Sequence, residues 1–136
     1  MSVDSTTLWT FLPIGYFLTI AIETPILLIG LSARHAMVRR LLAGVWLTAC
    51  TYPIVILALP LVVEAHFGRR AYLACAEIFA PVAECLLFWL AFCDPPSSKT
   101  ATVPAPQTRS ATYRDLITIA AANLLSWLLG GWLLAE

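Results

Sequence analysis

Three glutamates, Glu23, Glu77 and Glu84, stand within long apolar stretches of this chain. A charged side chain in a membrane segment is costly, and such residues usually face protein or a water-filled cavity. Glu23 and Glu84 fall near the middle of their stretches, and Glu77 lies one heptad before Glu84, about 10 Å away along a helix axis. The three carboxylates are therefore predicted to line one path, as cation-binding or proton-carrying groups.

The apolar stretches contain no Lys, Arg or His that would balance these acids. Neighbouring carboxylates in an apolar medium favour a bound proton or another cation as their counter-charge. The cofactor that this pattern predicts is thus a bound cation, either a proton or a metal ion, whose identity the residues do not specify. A basic side chain from a partner protein is the alternative counter-charge.

Several polar side chains fall at similar depth and are predicted to support the acids by hydrogen bonding. These residues are Tyr16, Thr19, Thr51, Tyr52 and Asn123. Helix packing is the alternative role at these depths, where small residues let backbones approach closely. Small residues suited to such packing are Gly15, Gly30, Gly44 and Thr48.

A four-residue repeat of small side chains marks the last apolar stretch. Its members are Thr118, Ala122, Ser126 and Gly130. Residues four apart share one face of a helix, and small side chains there favour close contact with another helix. The repeat therefore predicts a helix-packing stripe.

Prolines interrupt the same stretches at Pro25, Pro53, Pro60 and Pro81. Proline has no amide hydrogen, so the carbonyl four residues earlier loses its helical partner and becomes available as an oxygen ligand. Proline is also frequent in membrane helices. The prolines therefore have two possible roles: they expose carbonyl oxygens as ligands, or they only kink the helices.

The sequence carries no motif for enzymatic chemistry such as HExxH or a glycine-rich phosphate loop. Its cysteines lack zinc-site spacing, and buried cysteines usually act as small apolar side chains. His35 and His66 stand near arginines and are predicted to be solvated. An enzyme that uses Glu77 and Glu84 as acid/base groups or metal ligands is a less supported function, because no nucleophile accompanies them.

The elements that position these residues follow from composition. The chain has 136 residues, 60% of them hydrophobic and 12% charged, which excludes a soluble enzyme, a disordered tail and a nucleic-acid binder. Each of four apolar stretches is long enough to cross a bilayer. The prediction is one all-α transmembrane domain over 1–136, a bundle of four helices with short loops and spans at 8–32, 41–63, 71–93 and 116–135.

The loops indicate an orientation. The first and third loops together hold six Lys and Arg residues, and the second holds two. Basic residues favour the inner side, so both termini are predicted on the outer or periplasmic side. The third loop, 94–115, is rich in Pro, Ser and Thr and is predicted to be a flexible linker.

Two functions remain open. The favoured one is a small multi-pass membrane protein that binds a cation or passes it, as a transporter would, through Glu23, Glu77 and Glu84. Four helices scarcely enclose a full transport path, so a homo-oligomer or a larger membrane partner is expected. The alternative is a non-catalytic accessory or assembly subunit whose acids pair with a basic partner.

Overall fold

The computed structural model describes residues 5–92 and 105–133, which form four helices and no strand. Helix α1 spans Ser5–Gly30, α2 spans Met37–Phe67, α3 spans Arg69–Phe92 and α4 spans Ala105–Leu133. The prediction of an all-α chain is confirmed over this part of the sequence.

Three of the helices are long and apolar enough to cross a membrane. They are Leu12–Gly30, Met37–Phe67 and Arg69–Phe92. Large apolar side chains on their outer faces are exposed, among them Phe17, Ile29 and Ile78. An outer surface of this kind suits contact with lipid rather than water. The fourth predicted span, in α4, and the total of four crossings stay predictions.

The start of α4 differs from the predicted loop boundary. Residues 94–115 were expected to form a linker, but the helix begins at Ala105, so the polar segment 105–115 is helical. The reason is local: Pro106 falls in the first turn, where a missing amide hydrogen costs nothing, and no Gly or Pro follows until Gly130. The first part of the predicted linker and Cys93 lie outside the described residues.

Helix α2 changes its winding at its prolines. It is α-helical over Met37–Pro53 and π-helical over Ile54–Ala58 and Pro60–Glu64. Each π-helical segment begins at or directly after a proline, where the regular hydrogen-bond ladder is interrupted. Isolated π turns are frequent at functional sites. The helix then turns into α3 at Gly68, whose φ of 82° is readily adopted by glycine.

The four helices form a square. Helices α1 and α3 each pack against both α2 and α4, whereas the backbones of the diagonal pairs, α1 with α3 and α2 with α4, do not approach closely. Side chains directed inward from the diagonal pair α1 and α3 therefore meet those of α2 and α4 at the centre of the bundle.

The apolar core lies toward one end of the bundle along its axis. Its seven buried side chains are Leu27, Leu31, Ala43, Leu47, Phe88, Ile119 and Ala122. Leu27, Leu31, Ala43, Leu47 and Phe88 lie in the connection 31–36 or in the helix halves nearest to it, and Ile119 and Ala122 lie near the middle of α4. We call the end of the bundle at this connection the core end and the opposite end the cavity end.

Two close helix contacts depend on glycine. A Cβ at Gly44 would lie 2.6 Å from Thr24 Oγ1 and 3.1 Å from Thr24 Cα, so α1 and α2 approach closely there. A Cβ at Gly30 would collide with the side chain of Thr118 on α4. Both positions were among the small residues expected at packing seams.

Gly44→Ala should lower the thermal stability of the bundle. The added methyl meets a backbone atom that moves only with α1, and overpacking of this kind costs about 1–3 kcal/mol. Gly130→Ala is the matched control, because nothing lies within 4 Å of its Cβ position. Thermal unfolding in detergent, followed by circular dichroism, should give a lower midpoint for Gly44→Ala only. Equal midpoints would show that the α1/α2 contact is loose.

Candidate functional site

Glu23 is buried at the centre of the bundle with 2% of its surface exposed. Its Oε2 accepts a hydrogen bond from Thr48 Oγ1 of α2 at 2.9 Å. Its Oε1 accepts one from Ser126 Oγ of α4 at 2.6 Å. The carboxyl group of α1 is thus held by both neighbouring helices.

Glu84 on α3 has the same arrangement and is also 2% exposed. Its Oε1 accepts a hydrogen bond from Thr51 Oγ1 of α2 at 2.7 Å, and its Oε2 accepts one from Asn123 Nδ2 of α4 at 2.7 Å. Glu84 and Glu23 line the same cavity. The two acids predicted at mid-depth therefore converge.

The four donors come in two pairs with the same spacing. Thr48 and Thr51 are three residues apart on α2, and Asn123 and Ser126 are three apart on α4. Residues at this spacing share a helix face, so each of these helices presents one donor to each carboxyl group. We call Glu23, Glu84 and these four residues the acid-pair site. Each of these donors is a neutral side chain.

Three of the donors have a second acceptor on their own helix. Thr48 Oγ1 lies 2.9 Å from Gly44 O, Thr51 Oγ1 lies 3.0 Å from Leu47 O, and Ser126 Oγ lies 3.0 Å from Asn123 O. A hydroxyl carries one hydrogen and can also accept. Each hydroxyl can therefore donate to an ionised carboxylate, or donate to the backbone and accept from a protonated carboxyl.

Asn123 differs from the three hydroxyl donors because its Nδ2 donates both of the hydrogen bonds described for its side chain. Its Nδ2 lies 2.7 Å from Glu84 Oε2 and 3.1 Å from Ile119 O, so each of its two hydrogens has an acceptor. The backbone carbonyl of Ile119 fixes this orientation of the amide. Glu84 therefore has one partner that always donates, whereas both partners of Glu23 are hydroxyls.

A cavity of about 450 Å³ extends from the acid-pair site toward the cavity end. Both buried acids lie at its base, and Glu77 lines it one heptad further out with an exposed side chain. Most of its wall is apolar, with Leu18, Val55 and Ile56 among the lining residues. All three glutamates thus border one space, but only two of them are buried.

The supporting residues predicted from the sequence are placed differently. Four of them line the cavity, namely Thr19, Thr51, Tyr52 and Asn123. Tyr16 does not line it, and its ring instead packs against the ring of Tyr52 with centroids 6.0 Å apart. A Cβ at Gly15 would collide with the Tyr52 hydroxyl, so this glycine makes room for that side chain.

The small-residue stripe of α4 divides into two parts. Thr118 packs against Gly30 and Ala122 lies in the apolar core, as helix packing requires. Ser126 donates to Glu23, and Gly130 lines the cavity. Thr48, which sequence reasoning had considered only for packing, also belongs to the site. The repeated three-residue spacing of polar side chains on α2 and α4 was the signal for both.

A third buried acid, Asp115, lies at the core end with 0% exposure. Its Oδ1 accepts from the Ser32 backbone N–H at 2.6 Å, and its Oδ2 accepts from Arg34 Nη2 at 2.7 Å and Ser32 Oγ at 3.0 Å. His35 Nε2 lies 3.1 Å from Oδ2 and donates to it when protonated at Nε2. Asp115 thereby fastens α4 to the connection between α1 and α2.

The expectation that His35 is solvated is wrong. The ring is buried and packs edge-on against Phe88 of α3, with centroids 5.2 Å apart. Neighbouring arginines suggested a surface, but a buried partner acid from α4 draws the imidazole inward. His66 is exposed, and its Nδ1 lies 2.9 Å from Val62 O.

Burial and hydrogen bonding shift the pKa values of Asp115 and His35. Burial alone raises the pKa of Asp115, but the hydrogen bonds from Ser32, Arg34 and His35 outweigh it, so the pKa lies below its usual 3.8. For His35, burial lowers the pKa below its ordinary 6.5, and the attraction of Asp115 offsets this only in part. Arg34 and Arg39 lower it further.

Arginines satisfy the carbonyls at the end of α1. Arg40 donates to Leu28 O at 2.8 Å and Ser32 O at 3.2 Å, and Arg114 of α4 donates to Gly30 O at 2.9 Å. The last carbonyls of a helix have no partner within it and carry partial negative charge. Basic residues of the first and third predicted loops therefore stabilise this helix end.

Within residues 5–92 and 105–133, no three His, Cys, Asp or Glu side chains come together as metal ligands. Cys50 is half-buried, Cys75 is exposed, and the Cys85 thiol donates to Leu116 O at 3.5 Å. The acid-pair site offers two carboxyl groups and neutral donors. That arrangement suits a proton or an ammonium ion better than a metal ion.

Comparison with known proteins adds no assignment: no family model, curated protein or solved structure matches this chain. The interpretation of the site therefore depends on its own residues.

His35→Gln should weaken the acid sensitivity of the fold. Because the pKa of folded His35 lies below 6.5, the unfolded chain binds more protons as pH falls through about that value, and the free energy of unfolding decreases. In the variant this decrease should be smaller between neutral pH and the folded pKa. Chemical unfolding at several pH values measures it, with exposed His66→Gln as control. Identical pH profiles for wild type and His35→Gln would contradict the buried placement of the imidazole.

Proposed function

We propose that this chain is a multi-pass membrane protein that binds a cation reversibly at Glu23 and Glu84, with the proton as the first candidate. The supporting observation is that both carboxyl groups are buried in one site and their hydrogen bonds come from neutral side chains. Two buried carboxylates of this kind repel each other until a positive charge joins them.

The hydroxyl groups of the site support proton binding in particular. Thr48 and Ser126 can each switch between donating to Glu23 and donating to a backbone carbonyl. Glu23 can therefore gain or lose a proton without leaving a buried polar group unpaired, which would otherwise be costly. Asn123 holds Glu84 as an acceptor in both states. These differences favour Glu23 as the member of the pair that holds a proton while Glu84 is ionised.

Access to the site is one-sided in this conformation. The cavity connects the acids to the cavity end, whereas Leu27, Leu47 and Phe88 of the core fill the bundle on the other side. A cation would therefore enter past Glu77 from the cavity end. Passage across the membrane would need a second conformation in which the core opens, as in alternating access.

The accessory-subunit alternative has less support from this geometry. A partner's basic side chain would have to enter the cavity to reach Glu23 or Glu84, because each is 2% exposed. Exposed Glu77 is the acid that a partner could reach from outside. Pairing with a partner therefore fits Glu77 better than the two buried acids.

The membrane arrangement belongs to the same proposal. Three helices are long and apolar enough to cross. If α4 also crosses, all four helices span one bilayer. Both termini then lie on the outer side, because the first and third loops carry most of the basic residues and basic residues favour the inner side. A homo-oligomer or a larger membrane partner would then complete a transport path that four helices scarcely enclose.

Replacing the acids should remove a proton-binding signal. In lipid nanodiscs, the infrared difference spectrum between a mildly acidic pH, at which a carboxyl group in water stays ionised, and an alkaline pH should contain a protonated-carboxyl band that decreases in Glu23→Gln and Glu84→Gln. The band should decrease most in the double variant, because each change removes one titrating group. Glu64→Gln, at a glutamate near Arg69 outside the cavity, is the matched control.

A band unchanged in both single variants would overturn proton binding at this site. Proteoliposomes with an internal pH dye then test passage separately. Flux that is lost in Glu23→Gln and Glu84→Gln but retained in Glu64→Gln would support transport. A titrating band with no flux would restrict the function to binding.

A further inference from the structure

We infer that the cation bound at the acid-pair site is an organic ammonium ion with an apolar body, its nitrogen between Glu23 and Glu84 and its body in the cavity. The inference rests on the proposed function and specifies the ligand of the same site. It follows from the size of the cavity, the chemistry of its wall and the number of charges at its base.

The cavity is far larger than an inorganic ion requires. Its volume is about 450 Å³, and one water takes up about 30 Å³ in the liquid. A proton fills none of this space, and a metal ion fills little of it. Pockets of about 300–1,000 Å³ are typical of sites that bind small organic molecules.

The wall of the cavity favours an apolar ligand body. Apolar side chains from every helix line it, and the aromatic rings of Tyr52, Tyr72 and Trp127 are among them. An inorganic ion that keeps its water shell gains nothing from such a wall, whereas an apolar body is stabilised there by leaving water. Aromatic rings also attract ammonium groups through their faces.

The base of the cavity can accept an ammonium group. Each carboxyl oxygen of Glu23 and Glu84 receives one hydrogen bond from the bundle. An ionised carboxylate oxygen can accept more than one, so lone pairs remain for the N–H groups of an amine. A metal ion would need further ligands, and no three His, Cys, Asp or Glu side chains come together in the described ranges.

The charges of the site predict an exchange of ammonium for a proton. With two carboxyl groups and one monovalent cation, one carboxyl group stays protonated and the other is ionised. An ammonium ion that enters a fully protonated pair therefore releases one proton to solvent, and no covalent bond other than O–H changes. Glu84, held by Asn123, suits the ionised role, and Glu23, between two hydroxyl groups, suits the protonated one.

The test compares 4-phenylbutylamine with the neutral 4-phenylbutan-1-ol by calorimetry on the full chain in nanodiscs, with empty nanodiscs subtracted. The amine should bind at least about tenfold more tightly, as expected for charge-assisted hydrogen bonds. Glu84→Gln should remove most of this preference, and Glu64→Gln should keep it. Equal binding of amine and alcohol to the wild type would overturn the inference and reveal only an apolar groove.

A variant that fills the cavity distinguishes binding of the organic ligand from binding of a proton. Ala80 lines the cavity from α3, so Ala80→Phe should weaken amine binding at least about tenfold and leave the protonated-carboxyl band in place. A band without any amine preference in the wild type would overturn the organic ligand but keep proton binding. If the wild type shows neither the protonated-carboxyl band nor a preference for the amine, both proposals are overturned.

Discussion

Burying two carboxyl groups side by side without a basic partner is the constraint on which this bundle depends. Glu23 and Glu84 project from the diagonal helices α1 and α3, and the other diagonal, α2 and α4, supplies their four neutral donors. No helix can shift without breaking hydrogen bonds to at least one acid. A group that destabilises the interior by its charge therefore also sets the positions of all four helices.

The two ends of the bundle divide structural and chemical roles. At the core end, apolar side chains pack tightly beneath Asp115, whose negative charge has Arg34 as its partner at 2.7 Å. At the cavity end, prolines and π-helical turns of α2 accompany an open space beside the acid pair. Among the buried acids of the described residues, Asp115 is the one with a basic partner. The contrast explains why one acid serves stability and the other two suit reversible binding.

The helices and the acids were predictable because hydropathy and residue type carry that information directly. Their positions in the sequence placed Glu23 and Glu84 at a similar depth, but whether they face each other depends on how the helices pack, which the sequence left open. The roles of Thr48 and Ser126 were not predictable either, since a small polar residue in a membrane helix serves packing and hydrogen bonding equally well. His35 was misjudged because its partner Asp115 lies 80 residues away in the chain. The start of α4 was placed too late because a Pro-rich composition hid a helix that tolerates Pro106 in its first turn.

The bonds that α4 makes have a consequence for biosynthesis. A ribosome completes α1, α2 and α3 before α4 exists. At that stage the carbonyl of Gly30 lacks its donor Arg114, and Ser32 and Arg34 in the connection 31–36 lack their acceptor Asp115. Glu23 and Glu84 each lack one donor as well. Until α4 docks, the carbonyl of Gly30 and both glutamates therefore have fewer hydrogen-bond partners than in the finished bundle. Docking of α4 is the step that completes the hydrogen bonding of the acid-pair site.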